Sequence, residues 1–139
     1  MTPHFFTMAK TVYNPNVVKP RNRELAILGL CSVVDAPYLV YCHRGVAAHV
    51  GLTLEQFEDG LRGTEPTGLD DEELTAYRLG RILAALTGPL DEQKWRETTK
   101  SMDKTEIVGI THLIGGYRWV ALLEQVNGGE QTWTHGPTA

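Results

Sequence analysis

The sequence predicts an all-α fold: about six helices in one bundle, preceded by a short N-terminal arm. Three observations lead there. Helix start and stop signals recur from Pro20 through Asp35-Ala36-Pro37, Gly51, Thr53, Asp70, Asp91 and Asp103 to Asn127-Gly128-Gly129. Between these signals the apolar residues recur at helical spacing. No segment alternates apolar and polar residues with the β-branched enrichment of a strand.

Residues 1–20 read as the arm. Pro3, Pro15 and Pro20 and the turn-forming run Asn14-Pro15-Asn16 allow a short helix near His4–Val12 and then extended chain. Phe5, Phe6, Val17 and Val18 are apolar enough to dock on the remainder. The helical domain spans residues 21–127. Pro20 opens its first helix, Arg21 to Val34, which is apolar on nearly every side, as a buried helix is. A second helix runs from Pro37 to Val50, with Gly51 as its stop. Thr53-Leu54-Glu55-Gln56 is a capping-box pattern opening a short third helix to about Leu61. Asp70 opens a fourth, ended by Thr87-Gly88-Pro89, and Asp91 a fifth, to about Ser101. Asp103-Lys104-Thr105-Glu106 opens a long sixth helix to about Val126. Residues 128–139 form a polar tail, expected to be mobile.

A chain of 139 residues suffices for one domain with a real core. A net charge of −4, with no basic block, argues against nucleic acid or an anionic membrane as partner. No apolar run approaches the roughly 20 residues of a membrane span, and the N-terminus lacks a signal peptide's apolar stretch. Two cysteines, Cys31 and Cys42, make no disulfide framework. The expectation is a soluble, cytoplasmic protein with reduced thiols.

His43 is the first candidate for chemistry. It stands among small and apolar residues on the second helix and shares a face with Ala47 and Val50. Such an imidazole can exchange protons near neutral pH, although a core histidine with one satisfied hydrogen bond is the commoner outcome. Glu24, inside an apolar helix, is costly to bury unless it is paired. It can pair with Arg21 or Arg23, face solvent, or orient His43. Cys42 adjoins His43 and is either a small apolar residue or an activated thiol. Cys31 reads as structural. His112 precedes the Gly115-Gly116 pair, whose cost in a helix implies close packing or room for a ligand, so His112 can line a cavity. HExxH, GxGxxG, P-loop and GxSxG motifs are all absent, and no two histidines have the spacing of a helical metal site. Metal binding is not expected.

Taken together, Arg21-x-Arg23-Glu24-Leu25-x-Ile27-Leu28, Ala36-x-Tyr38 and His43-x-x-x-Ala47-x-x-x-Gly51-Leu52-Thr53 resemble the carboxymuconolactone decarboxylase family, which includes the alkylhydroperoxidase D proteins. The 19 residues between Glu24 and His43 match that family's spacing. The likeness extends through Asp70–Glu73, Glu106-Ile107-Val108 and Gly116-Tyr117, covering residues 20–127. The peroxidase branch of that family carries a CxxC whose two positions are held here by Ala36 and Leu39, so the dithiol is missing. Many non-redox relatives carry Glu-Trp where this chain has Leu39 and Val40.

The resemblance implies an alkylhydroperoxidase D-like bundle and a homo-oligomer, trimer or hexamer. It implies no cofactor, and acid–base chemistry of the decarboxylase (lyase) or isomerase or cyclase type on a small-molecule substrate, an enolisable small organic acid or a polyketide-like metabolite. His43 would be the proton donor or acceptor, Glu24 its partner, and Tyr38, Leu39, His112 and Tyr117 would line the substrate site. Two other readings stay open: a thiol-dependent peroxidase using Cys42, and a non-catalytic helical binding or assembly protein. The nearly all-apolar first helix of the domain is expected to be buried partly between subunits.

Overall fold

The computed structural model describes residues 2–127, which form seven α-helices and no strand. They are α1 (Thr2–Val12), α2 (Pro20–Cys31), α3 (Pro37–His49), α4 (Leu54–Leu61), α5 (Asp71–Ala84), α6 (Glu92–Thr99) and α7 (Lys104–Val126). The polar tail expected over 128–139 lies outside the described residues. None of the described helices is long and apolar enough to cross a membrane.

The helix starts follow local chemistry. Thr53 and Asp70 each close a reciprocal capping box, with Gln56 and with Glu73. Asp91 and Asp103 accept from the backbone N–H groups of Lys94 and Glu106, both at 2.9 Å. Helix α3 ends in a Schellman motif: Leu52 N–H donates to Ala47 O and Gly51 N–H to Ala48 O, each at 3.0 Å. Gly51 has φ +89°, a conformation that favours glycine. The second helix in the chain stops three residues short of the expected Val34. Ser32 Oγ donates to Gly29 O at 2.6 Å, and Val33 N–H bonds to Leu30 O, so the last turn tightens and ends.

Helix α2 is the central element, packed against α3, α4, α5 and α7. Leu25, Ala26, Ile27, Leu28 and Leu30 are at most 1% exposed within this single chain. Burial between subunits is therefore not the reason for the helix's apolar surface, contrary to expectation. Its closest neighbour is α5. A Cβ on Gly80 would lie 1.9 Å from Ala26 O, and one on Gly29 2.3 Å from Tyr77 O. Polar ties fix the start of α2 as well. The buried Asn22 donates to Glu72 at 2.7 Å and to Glu106 at 2.8 Å, linking α2 to α5 and α7. Tyr77, fully buried, donates its hydroxyl to Gly60 O at 2.8 Å and ties α5 to α4.

The arm folds back onto this frame. Helix α1 lies on α7, with the Phe5 ring edge-on to Trp119 at 4.9 Å. Val18 is buried, and its side chain fills the space over Gly109 of α7. The lining of the cavity comes from α1 with Tyr13, from α3 and from α7.

Candidate active site

Glu24 is held on the side of α2 that faces α3, and its side chain has no exposed surface. Both of its carboxylate oxygens lie 3.1 Å from His43 Nδ1. An ionised carboxylate only accepts, so this geometry places the ring proton on Nδ1. Nε2 is left as the ring nitrogen available to a molecule in the cavity. Tyr117, from α7, stands edge-on to the imidazole with ring centroids 5.2 Å apart. A bifurcated carboxylate contact and an aromatic wall together restrict the ring's rotation.

Of the two arginines available to Glu24, neither displaces the histidine. Arg21 pairs with Glu73 and donates to Val50 O at 3.4 Å. Arg23 Nε is 4.0 Å from Glu24 Oε2, and its guanidinium lies over the Tyr13 ring, 4.5 Å from the centroid. Its charge offsets the buried carboxylate without a direct hydrogen bond, and Arg23 Nε is itself buried with no partner.

The cavity encloses about 350 Å³ and is walled almost entirely by carbon. That volume is at the small end of ligand sites. Six residues named from the sequence line it: Tyr38, Leu39, Cys42 and His43 from α3, and His112 and Tyr117 from α7. Glu24 stands behind His43, outside the lining. Cys42 is an exposed free thiol on this cavity, whereas Cys31 faces a separate depression beside Asp35 and Pro37. Burial, with the charges of Glu124 and Glu24 adding to it, pushes the Cys31 thiol up to about 12. The Gly115-Gly116 pair is not a close-packing site, because a Cβ on either would meet nothing within 4 Å. Gly116 instead lines the cavity.

Sequence reasoning missed several lining residues. Phe5 and Phe6, which the sequence marks only as apolar residues able to dock, both form part of the wall. Tyr13 follows α1 directly and sits 6.2 Å from the Tyr117 ring. Burial raises its phenol pKa, and the charge of Glu24 raises it further, so Tyr13 stays a hydrogen-bond donor. Glu124 reaches the cavity from the far end of α7. Among the described residues, no group of three or more His, Cys, Asp or Glu side chains is placed to hold a metal ion.

A buried carboxylate, an imidazole bonded to it and an apolar cavity beside them are parts that can serve general acid–base chemistry. Comparisons with models of protein families, with curated proteins and with solved structures return no match.

Proposed function

We propose that the protein is a cofactor-independent acid–base enzyme that moves a proton at carbon in an enolisable small molecule. The observation that carries this reading is Glu24, wholly buried and bonded through both oxygens to His43 Nδ1 at the edge of an apolar cavity. His43 Nε2 takes a proton from the carbon beside a carbonyl and returns it at the same or another carbon. Glu24 holds the tautomer and stabilises the imidazolium formed on the way. Tyr13 offers a donor to the enolate oxygen. Isomerisation and cyclisation begin with this proton removal, whereas decarboxylation forms the enolate by loss of CO2 and needs only the proton delivered to carbon. The reading draws on the resemblance of residues 20–127 to the carboxymuconolactone decarboxylase sequence pattern, and it includes the proposal that the helices form an alkylhydroperoxidase D-like bundle. It extends to a trimeric or hexameric assembly in the cytoplasm, where the free thiols Cys31 and Cys42 stay reduced.

The test is deuterium wash-in from D2O into a panel of enolisable probes: a cyclic 1,3-diketone, a β-keto acid and a hydroxynaphthoquinone. Exchange should fall by about 100-fold or more in His43→Gln. Equal exchange in that variant overturns the reading. A second reading has its own observation, the exposed Cys42 thiol on the cavity. Peroxide consumption lost in Cys42→Ser would favour it.

A further inference from the structure

We infer that helix α1 is a strap: it leaves α7 readily in the free chain and closes over the cavity when a neutral apolar molecule fills it. The inference rests on the proposed function in one respect, since it takes the cavity beside His43 as the ligand site. The walls of that cavity are held very differently. Leu39 of α3 and Leu113 of α7 are buried. The start of α3 is tied to α7 by Glu124, which accepts from the backbone N–H groups of Tyr38 and Leu39. Helix α1 has no such tie. None of its described side chains is buried. Its described hydrogen bonds stay within the helix and the two residues after it, as in Thr7 to Pro3 O, Thr11 to Thr7 O and Tyr13 N–H to Ala9 O. It meets α7 through apolar contact, with Phe5 edge-on to Trp119. A helix of 11 residues is marginal by itself in water.

Firm attachment begins only beyond α1. The Arg23 guanidinium lies over the Tyr13 ring, Val18 is buried, and Lys19 N–H donates to Glu106 Oε1 at 3.2 Å. The strap therefore has one fixed end, at Tyr13, and one loose end. Its apolar side chains are placed to respond to a ligand. Phe5, Phe6, Met8, Ala9 and Val12 all line the cavity, yet Phe6 and Met8 are 57% and 49% exposed. An apolar molecule in the cavity covers that surface, and its burial favours the attached helix over the detached one. No lysine or arginine lines the cavity, so a charged molecule would lose its hydration against carbon without a counter-charge to an anion. Closure also keeps bulk water from His43, which strengthens its interaction with the charge of Glu24.

The probes are 1-tetralone and 2-naphthol, neutral two-ring molecules whose binding to the full chain is measured by calorimetry. Trypsin reads the strap. Lys10 is exposed on α1, and a protease cuts there only when the segment has left its helix. In the free chain the cut after Lys10 should be about 100-fold or more faster than the cut after Arg118 of α7. Saturating probe should slow the Lys10 cut about tenfold or more. Cuts after Arg96 of α6, a helix that lines no part of the cavity, should keep their rate. Phe6→Ala should weaken the binding of either probe about tenfold and leave the urea midpoint in place, because the side chain is largely exposed in the free chain. A Lys10 bond as resistant as that after Arg118, a Lys10 cut unchanged by saturating probe, or no binding of either probe at its solubility limit overturns the inference. None of these readouts requires turnover. A strap that closes on 1-tetralone without exchange of the protons beside its carbonyl keeps the inference and loses the proposed reaction. A chain that exchanges those protons while its Lys10 cut ignores the probe does the reverse.

Discussion

Glu24 is a buried charge whose partners are all ionisable or polar, so its removal is felt beyond the site. Glu24→Ala leaves His43 without its acceptor and Arg23 without its counter-charge, in a place where neither is fully hydrated. Stability should fall by about 3 to 5 kcal/mol in urea denaturation. Glu24→Gln keeps the volume and one acceptor, and should cost clearly less while still abolishing proton exchange. The Cys31 thiol gives a second prediction at this scale. Cys31 has its pKa raised from 9.0 to about 12 in the folded chain, so the unfolded chain releases this proton first as pH rises. Folding stability should therefore fall as pH climbs from 9.0 toward 12. Thermal melts of Cys31→Ala should show a shallower alkaline decline, and a decline unchanged in that variant contradicts the assignment. His43 and Glu24 were legible because a carboxylate in an apolar helix and a histidine among small residues are both local anomalies. Tyr13 was not. Nothing near it in the sequence marks it as half-buried against the site, and its environment comes from Arg23, Glu24 and Tyr117, on other elements.

Element starts were equally legible, because a capping side chain and the amide that it satisfies lie three residues apart. Thr53, Asp70, Asp91 and Asp103 all cap the helices they precede. Helix α3 breaks that pattern. Its cap is Glu124, 86 residues away from Tyr38, and no local rule announces it. The end of α2 was overrun for a similar reason. Val33 and Val34 continue the apolar run, and the stop is made by the Ser32 side chain donating to the Gly29 carbonyl three residues back. Packing between helices was the least legible, since Gly29 and Gly80 look like ordinary helix weaknesses. In the structure they are the contact that lets α2 and α5 approach, and a methyl group at Gly80 would strike the Ala26 carbonyl oxygen. Gly80→Ala should therefore destabilise the protein by about 3 kcal/mol. Gly45→Ala on α3, where a Cβ meets nothing within 4 Å, should be neutral or stabilising by up to about 1 kcal/mol. Paired urea titrations decide this, and similar midpoints for the two variants would refute the close-contact account.

At the scale of the whole molecule, the apolar residues of α2 are consumed by one chain, and the apolar surface left over lies on α7 and its neighbours. Val108, Leu122 and Val126 are 47%, 55% and 75% exposed. With His112, Gly115 and Trp119 they form a line along α7 with steps of four and three residues in alternation. That is the spacing of a helix seam that packs against another helix, and α1 covers only part of it, through Phe5 on Trp119. A bare Gly115 in this line leaves room for a partner's side chain. The proposed assembly therefore predicts a mass of three or six copies of the 15.4 kDa chain in light scattering. Leu122→Glu and Val126→Glu should shift that mass toward a single copy. Both positions are solvent-exposed in the isolated chain, so the charges cost its folding little. Circular dichroism should accordingly keep its helical signal while the mass falls, which separates loss of assembly from loss of fold. A wild-type chain that scatters as a single copy at every concentration tested would remove the oligomer from the proposal. It would leave the site intact, because Glu24, His43, Tyr13 and Tyr117 are all supplied by one chain.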